Sequence, residues 1–282
     1  MLPALWHLCR VRQWLKNLLL FFPPFLGGTL LLHMNVLQML LPFLAFCLVS
    51  SSSYILNDVF DRENDRHHPD KCTRPIASGR LPVASALIFA ASLLICSVLL
   101  AGYISNIFLF YVTAYFAVSI AYSSMLKDVV LADILCISVG FLLRLQAGGA
   151  SFNVAISEWL FLTVFLLSLF LCTGKRVAEK QRLGCLAMDH RKVLVAYPRW
   201  LLESLLYMSG ISVLVTYCMY VLTRHSVLLR YSVPLCGFGL LRYIFRLRSG
   251  KSGDPTESLV MDVPLLIVGV VWVSMVGWGI YG

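Results

Sequence analysis

The sequence predicts an all-α polytopic membrane protein with about nine transmembrane helices. Three observations predict it. The chain is 59% apolar with a mean hydropathy of +0.82, well outside the soluble average. Its apolar residues fall into stretches near the ~20 residues a helix needs to cross the hydrocarbon core. Finally, Lys and Arg gather on alternate connections, as membrane topology demands.

The stretches run in order. They are about Trp14–Leu32, Val36–Leu56, Val83–Tyr103, Ile107–Met125, Leu131–Ala147, Trp159–Gly174, Trp200–Leu222, Val227–Phe245 and Asp262–Tyr281. The first carries Pro23-Pro24, which predicts a kink or break. The longest polar connections, 57–82, 175–199 and 246–261, leave no room for a soluble domain, so residues 1–282 read as one membrane-embedded domain. The opening M-L-P-A-L-W-H-L-C-R lacks a small-residue cleavage pattern, so no removed signal peptide is expected.

Counted by alternating sides, 20 of the 23 Lys and Arg lie with the N-terminus. The other side holds only Arg224 and Arg230, and Arg144 is inside a span. The rule that positive loops stay inside then puts the N-terminus and the 57–82 connection in the cytoplasm and the C-terminus outside, for a multi-pass protein of the cell (inner) membrane. The net charge of +9 argues first for this topology and second for contact with anionic head groups or substrates; no nucleic-acid partner is expected. Nine scattered cysteines form no C-x-x-C, so neither a zinc site nor a disulfide framework is predicted.

The chemistry gathers at cytoplasmic helix ends. In N-D-V-F-D-R-E-N-D, Asp58, Asp61 and Asp65 recur at i, i+3 and i+7, with Asn57 one turn before Asp61. On a helix that spacing stacks the acids on one face. Oxygen-only ligands among stacked acids point to Mg²⁺, which takes its remaining ligands from water and a phosphorylated substrate. Arg66, Lys71, Arg74 and Arg80 follow as cations for that substrate. A bland reading, a solvated loop between helices, is disfavoured because acids at a membrane helix end are usually functional.

Four further clusters lie at the same depth. Tyr122 and Lys127 flank a helix end before Asp133, and Lys127 suits a diphosphate that bridges the metal, though positive-inside placement alone also explains it. Asp133 either serves a site or complements a helix dipole. In G-K-R-V-A-E, Lys175 and Glu179 stand at i, i+4 beside Arg176: a salt-bridged helix end, or a grip for phosphate with Glu179 orienting Lys175. Arg12, Lys16 and Asn17 sit beside Trp14 at the mouth of the first span, as a topology signal or a lipid-phosphate holder. Arg144 lies too deep for substrate and is expected to face the bundle interior, paired with an acid or shaping the cavity. The loop G-K-S-G-D-P-T-E has no sharp reading, and His67-His68 read as solvated.

N-D-V-F-D-R-E-N-D resembles the N-D-x-x-D-x-x-x-D signature of the UbiA superfamily of intramembrane prenyltransferases. With R-Q-W-L-K-N (12–17), D-K-C-T-R-P-I-A-S-G (70–79), Y-S-S-M-L-K (122–127), the stretch 133–149, G-K-R-V-A-E (174–179) and M-D-V-P-L-L (261–266), the resemblance narrows to the branch acting on decaprenyl phosphate with phosphoribosyl pyrophosphate. It implies a lipid-accessible cavity, Mg²⁺ on acidic motifs and a cytoplasmic polar face. Typical prenyl-diphosphate members carry a second acidic motif, D-x-x-x-D, where this chain reads G-K-R-V-A-E. One acid cluster plus several basic ones suits phosphoribosyl pyrophosphate and a polyprenyl phosphate.

The roles implied are these. Asn57, Asp58, Asp61 and Asp65 hold Mg²⁺, with Asp58, Asp61 and Lys127 catalytic. Lys71, Arg74 and Lys127 balance the pyrophosphate charge, and Tyr122 contributes to the site. Lys175 and Arg176, with Glu179, hold the ribose 5-phosphate or the lipid phosphate. Arg12, Lys16 and Asn17 hold the other. The rival readings are a prenyltransferase acting on an aromatic acceptor and, from other classes, a lipid or solute transporter or a non-catalytic scaffold. Against a transporter, polar residues collect at one face and no inverted repeat is visible.

Overall fold

A computed structural model describes residues 2–30, 35–67, 71–183, 192–224 and 226–282. Arg191 and His68, and the end of the first predicted span, lie outside them. The described chain is helical with no strands. Among the described residues, eight helices are long and apolar enough to cross a membrane. The chain divides into two compact units, residues 1–24 with 32–154, and residues 25–31 with 155–282.

The first unit begins with α1 (Leu2–Cys9), a 3₁₀ segment (Val11–Phe21) and α2 (Phe22–Leu26). The predicted break at Pro23-Pro24 is a change of helix type: the tighter 3₁₀ winding gives way to α just before the prolines. Neither piece, at 11 and 5 residues, is among the eight membrane-length helices.

Next come α3 (Val36–Phe60), α4 (Arg62–His67), α5 (Val83–Ile104), α6 (Asn106–Ser124) and α7 (Ala132–Phe152). Asn35 caps α3 by accepting from the Leu37 amide, and Ser105 caps α6 from the Phe108 amide. α3 is the centre of this unit and packs on α1, the 3₁₀ segment, α5 and α6. Its run Ser50–Ser53 is buried, and each hydroxyl finds a carbonyl: Ser50 donates to Phe46, Ser53 to Val49, Ser51 to Cys9 and Ser52 to Ala90. Small residues with satisfied hydroxyls let backbones approach closely, the usual solution in lipid. Leu20, Phe46, Phe108, Val112 and Tyr115 fill one core cluster, and Leu8, Ile55, Ile76, Leu81 and Ala90 another.

Arg144 on α7 faces inward as expected. Its partners are an amide, a phenol and a carbonyl rather than an acid: Nε donates to Asn17 Oδ1 at 2.8 Å, Nη2 to Tyr115 at 2.8 Å and Nη1 to Gly140 O at 2.9 Å. The guanidinium also lies 4.5 Å from the Tyr115 ring centroid.

The second unit holds α8 (Glu158–Leu183), α9 (Lys192–Ala196), α10 (Arg199–Thr223), α11 (Val227–Arg230), α12 (Ser232–Arg248), α13 (Pro255–Met261) and α14 (Val263–Tyr281). α8 packs along α10, and α12 against α14. Asp254 caps α13 and Asp262 caps α14, each just before a Pro at the start of its helix. Asp262 is buried and pairs with Arg242 at 3.1 Å and Arg246 at 3.6 Å.

Candidate active site

The acid motif starts inside a membrane helix and leaves it. α3 carries Asn57 and Asp58 in its last turn, Asp61 stands at its C-cap, and α4 carries Asp65. The hydrogen bonds Asp61 N to Asn57 O (2.9 Å) and Asp65 N to Asp61 O (2.8 Å) keep helical spacing through the junction. The predicted stacking therefore holds over all three acids.

The connection after α4 folds back because of its apolar residues. Ile76 and Leu81 bury themselves against Ile55 and Ala86. That anchor aims Arg74 at the acids: its Nη1 donates to Asp58 Oδ1 at 2.8 Å and to Asp65 Oδ2 at 2.6 Å. Lys71 Nζ lies 3.9 Å from Asp65 Oδ1. Arg10, whose backbone is in the left-handed region at φ 48°, adds a second guanidinium to Asp58 Oδ1. Lys127, on the turn after α6, pairs with Asp61 Oδ1. Asn57 Nδ2 donates to Asp61 Oδ2 at 2.9 Å and its Oδ1 accepts from Ser123 at 3.0 Å.

Asp58 and Asp65 are nearly fully buried, while their cations remain partly open to solvent. Burial pushes the Asp65 carboxyl up from its ordinary range; Arg74 and Lys71 pull it down, and Asp61 and Asp58 raise it further. A buried carboxylate without a partner is costly, and Arg10, Arg74 and Lys71 supply partners to Asp58 and Asp65.

Other predicted residues fall elsewhere. Arg66 pairs with Glu63 at 3.0 Å. Arg80 braces its own loop, donating to Thr73 O at 2.9 Å and Ser78 Oγ at 3.2 Å. Tyr122 is half-buried beside Ser123, and Asp133 is buried in the first turn of α7. Arg12 is exposed and Lys16 half-buried. Asn17 is fully buried; besides accepting from Arg144 it donates to Ser50 Oγ at 3.2 Å and Cys47 Sγ at 3.3 Å. Trp14 donates to Ser51 Oγ at 3.0 Å. In the second unit, Lys175 pairs with Asp254 at 3.4 Å and Arg176 with Glu179 at 2.7 Å. Arg10 is the contact that the motif spacing did not mark: it lies 48 residues from Asp58, and its only signal is a position two residues before Arg12.

Among the described residues, no three His, Cys, Asp or Glu side chains form a cluster that would hold an ion alone. Mg²⁺ does not require one, since it is commonly held by one or two carboxylates plus water and substrate phosphate. The donor set here is oxygen-only and anionic, which fits that ion.

Residues 21–267 match the sequence profile of the UbiA prenyltransferase family. The chain is 32% identical to decaprenyl-phosphate phosphoribosyltransferase of Mycolicibacterium smegmatis, over 96% of this chain and 91% of that protein. It is 30% identical to the protein of the same name from Corynebacterium glutamicum, over 96% and 85%. In three dimensions it is similar to a UbiA homologue from Archaeoglobus fulgidus bound to GPP and Mg²⁺, with a TM-score of 0.78 at 19% identity over 99% of both chains. At 19% identity that likeness carries the fold and nothing more.

Proposed function

The chain belongs to the UbiA prenyltransferase family, a multi-pass membrane enzyme family, and from that membership we propose that it transfers 5-phosphoribosyl from phosphoribosyl pyrophosphate to a polyprenyl phosphate. The observation that carries the proposal is the distribution of charge. One acid cluster, Asp58–Asp61–Asp65, is matched by four cations, and the place of the family's second acidic motif holds Lys175 and Arg176. A donor with a pyrophosphate at one end and a monophosphate at the other suits that distribution. A prenyl diphosphate, with one anionic end, does not need it. The full-length similarity to two phosphoribosyltransferases supports the same reading.

Asn57, Asp58, Asp61 and Asp65 are the residues that would hold Mg²⁺. When bound, the ion supplies charge neutralisation to the pyrophosphate leaving group. The chain's own groups do the rest. Arg74, Lys71 and Lys127 turn from the carboxylates to the phosphate oxygens and stabilise the negative charge that grows as the C1–O bond breaks. Arg12 and Lys16 hold one monophosphate and Lys175 and Arg176 the other; Asn17 fixes Arg144, and Tyr122 contributes to the site. An oxygen of the lipid phosphate attacks C1 as pyrophosphate departs with the bonding pair. The phosphate is already anionic, so no strong general base is needed.

The proposal includes an orientation: N-terminus and acid cluster cytoplasmic, C-terminus outside, in the cell membrane, with the chain acting as one catalytic domain. The partition of Lys and Arg supports it.

Asp61→Ala tests the assignment. Asp61 is the acid that meets Asn57 and Lys127 at once. Turnover should fall at least ~100-fold, the loss typical of a transition-state contact, with the elution profile unchanged. A purified, folded Asp61→Ala protein with normal turnover would refute it.

A further inference from the structure

At the end of α8, the connection 249–254 closes a pocket of about 270 Å³. The interlock that holds this loop is tight. Gly253 lies so close to α8 that a methyl there would meet Ala178 Cβ at 2.7 Å and Lys175 Cα at 2.9 Å. Tyr243 donates to Gly253 O at 2.7 Å, and its ring fits only because residue 174 is Gly: a Cβ there would meet Tyr243 Cε1 at 2.6 Å. Behind the loop, Ser258 donates to Ser252 O at 3.1 Å and itself accepts from buried Arg246 at 3.2 Å. A loop that merely joined two helices would need none of these constraints.

The pocket's lining explains them. Its charged and polar lining comprises Lys175, Arg182, Lys251, Glu179, Asp254 and Ser252. Both acids have partners: Glu179 binds Arg176, and Asp254 pairs with Lys175 and caps α13 through the Thr256 and Glu257 amides. Among the described residues no carboxylate is paired with Lys251 or Arg182. Nothing aromatic or long-chain aliphatic lines the space, so it does not suit an isoprenoid tail. Its size suits a small phosphorylated molecule with some water.

We propose that this pocket binds a phosphate monoester, with Lys251, Arg182 and Lys175 as its cations. That the monoester is the donor's ribose 5-phosphate or the lipid's phosphate rests on the transfer reaction above. Lys251, on the pinned loop, sets the specificity for a second phosphate.

The test is calorimetric titration of the full protein in detergent with ribose 5-phosphate and, separately, geranyl phosphate, in wild type, Lys251→Ala, Lys251→Arg and Gly253→Ala. Losing one charge-assisted contact at an open pocket should weaken one of the two probes about tenfold. Lys251→Arg should restore most of it. Gly253→Ala, which removes no charge, should weaken the same probe by lifting the loop. KM for the substrate of the matching class should rise with it, and the probe that moves identifies the source. Unchanged affinity of both probes in Lys251→Ala, or no binding of either to wild type at millimolar concentration, would overturn the proposal. Titration requires no turnover. Lost affinity without any pyrophosphate release by wild type would remove the proposed reaction and leave the pocket; intact turnover with unmoved affinity would do the reverse.

Discussion

Arg74→Ala should destabilise the first unit, and the size of the effect follows from the contacts. Its guanidinium bonds Asp58 at 2.8 Å and Asp65 at 2.6 Å. A hydrogen bond between charged groups is worth about 1.5–3 kcal/mol each. Two would give up to about 6 kcal/mol, but the side chain is 26% exposed, and Arg10 and Lys71 remain on the two acids. About 3 kcal/mol is left, at the low end for breaking a buried pair. For a chain of this size that is a fall in Tm of roughly 6–12 °C. Thermal unfolding in detergent, followed by tryptophan emission, measures it. Asp65→Asn in the same background removes the stranded charge, so the double variant should recover at least ~1 kcal/mol relative to additivity. A Tm for Arg74→Ala within a degree of wild type, or strict additivity with Asp65→Asn, would refute the bridge.

Gly148→Ala places a methyl 2.2 Å from the Leu20 carbonyl oxygen, so about 3 kcal/mol or more should be lost; Gly239→Ala, with nothing within 4 Å, should be neutral or slightly stabilising. The same unfolding assay separates the two, and equal Tm values would contradict the close approach of α7 to the 3₁₀ segment. Hydrogen bonds from Arg242 hold Asp262 below the ordinary carboxylate range. A depressed carboxyl stabilises above its unfolded value of about 3.9, and the effect is lost as pH falls through the folded value. The Tm gap between wild type and Asp262→Asn should therefore be steady from pH 7 to 5 and close below about pH 4; a gap that widens on acidification would contradict the pairing. Arg144→Met should lower Tm by stranding the buried Asn17 and Tyr115 polar groups, with about 2 kcal/mol lost; no change would mean that the network is dispensable.

The helices and the acid face were legible because both are local. Hydropathy over ~20 residues marks a span, and a period of i, i+3, i+7 survives whatever packs around it. The first span shows the limit of this reading: its apolar count and its prolines are visible, yet the 3₁₀ winding of Val11–Phe21 is not, because no local propensity demands so long a run. Partners across the chain were equally hidden. Asn17 looked like part of a basic mouth, but 127 residues on lies the Arg144 that it holds. Arg10 and Arg74 were visible as charges; that both reach Asp58 was not, and for Arg74 it depends on where Ile76 and Leu81 bury. The G-K-S-G-D loop gave no reading because its meaning lies in Gly174 and Tyr243, which the sequence does not connect to it.

The most direct test of the account is pyrophosphate release by the purified protein in detergent with Mg²⁺. One arm offers phosphoribosyl pyrophosphate with a polyprenyl phosphate, the other a prenyl diphosphate with 4-hydroxybenzoate. The account predicts release with the first pair alone. Release with the second pair alone would contradict it and make the enzyme an aromatic prenyltransferase that works with Lys175 and Arg176 in place of a second acidic motif.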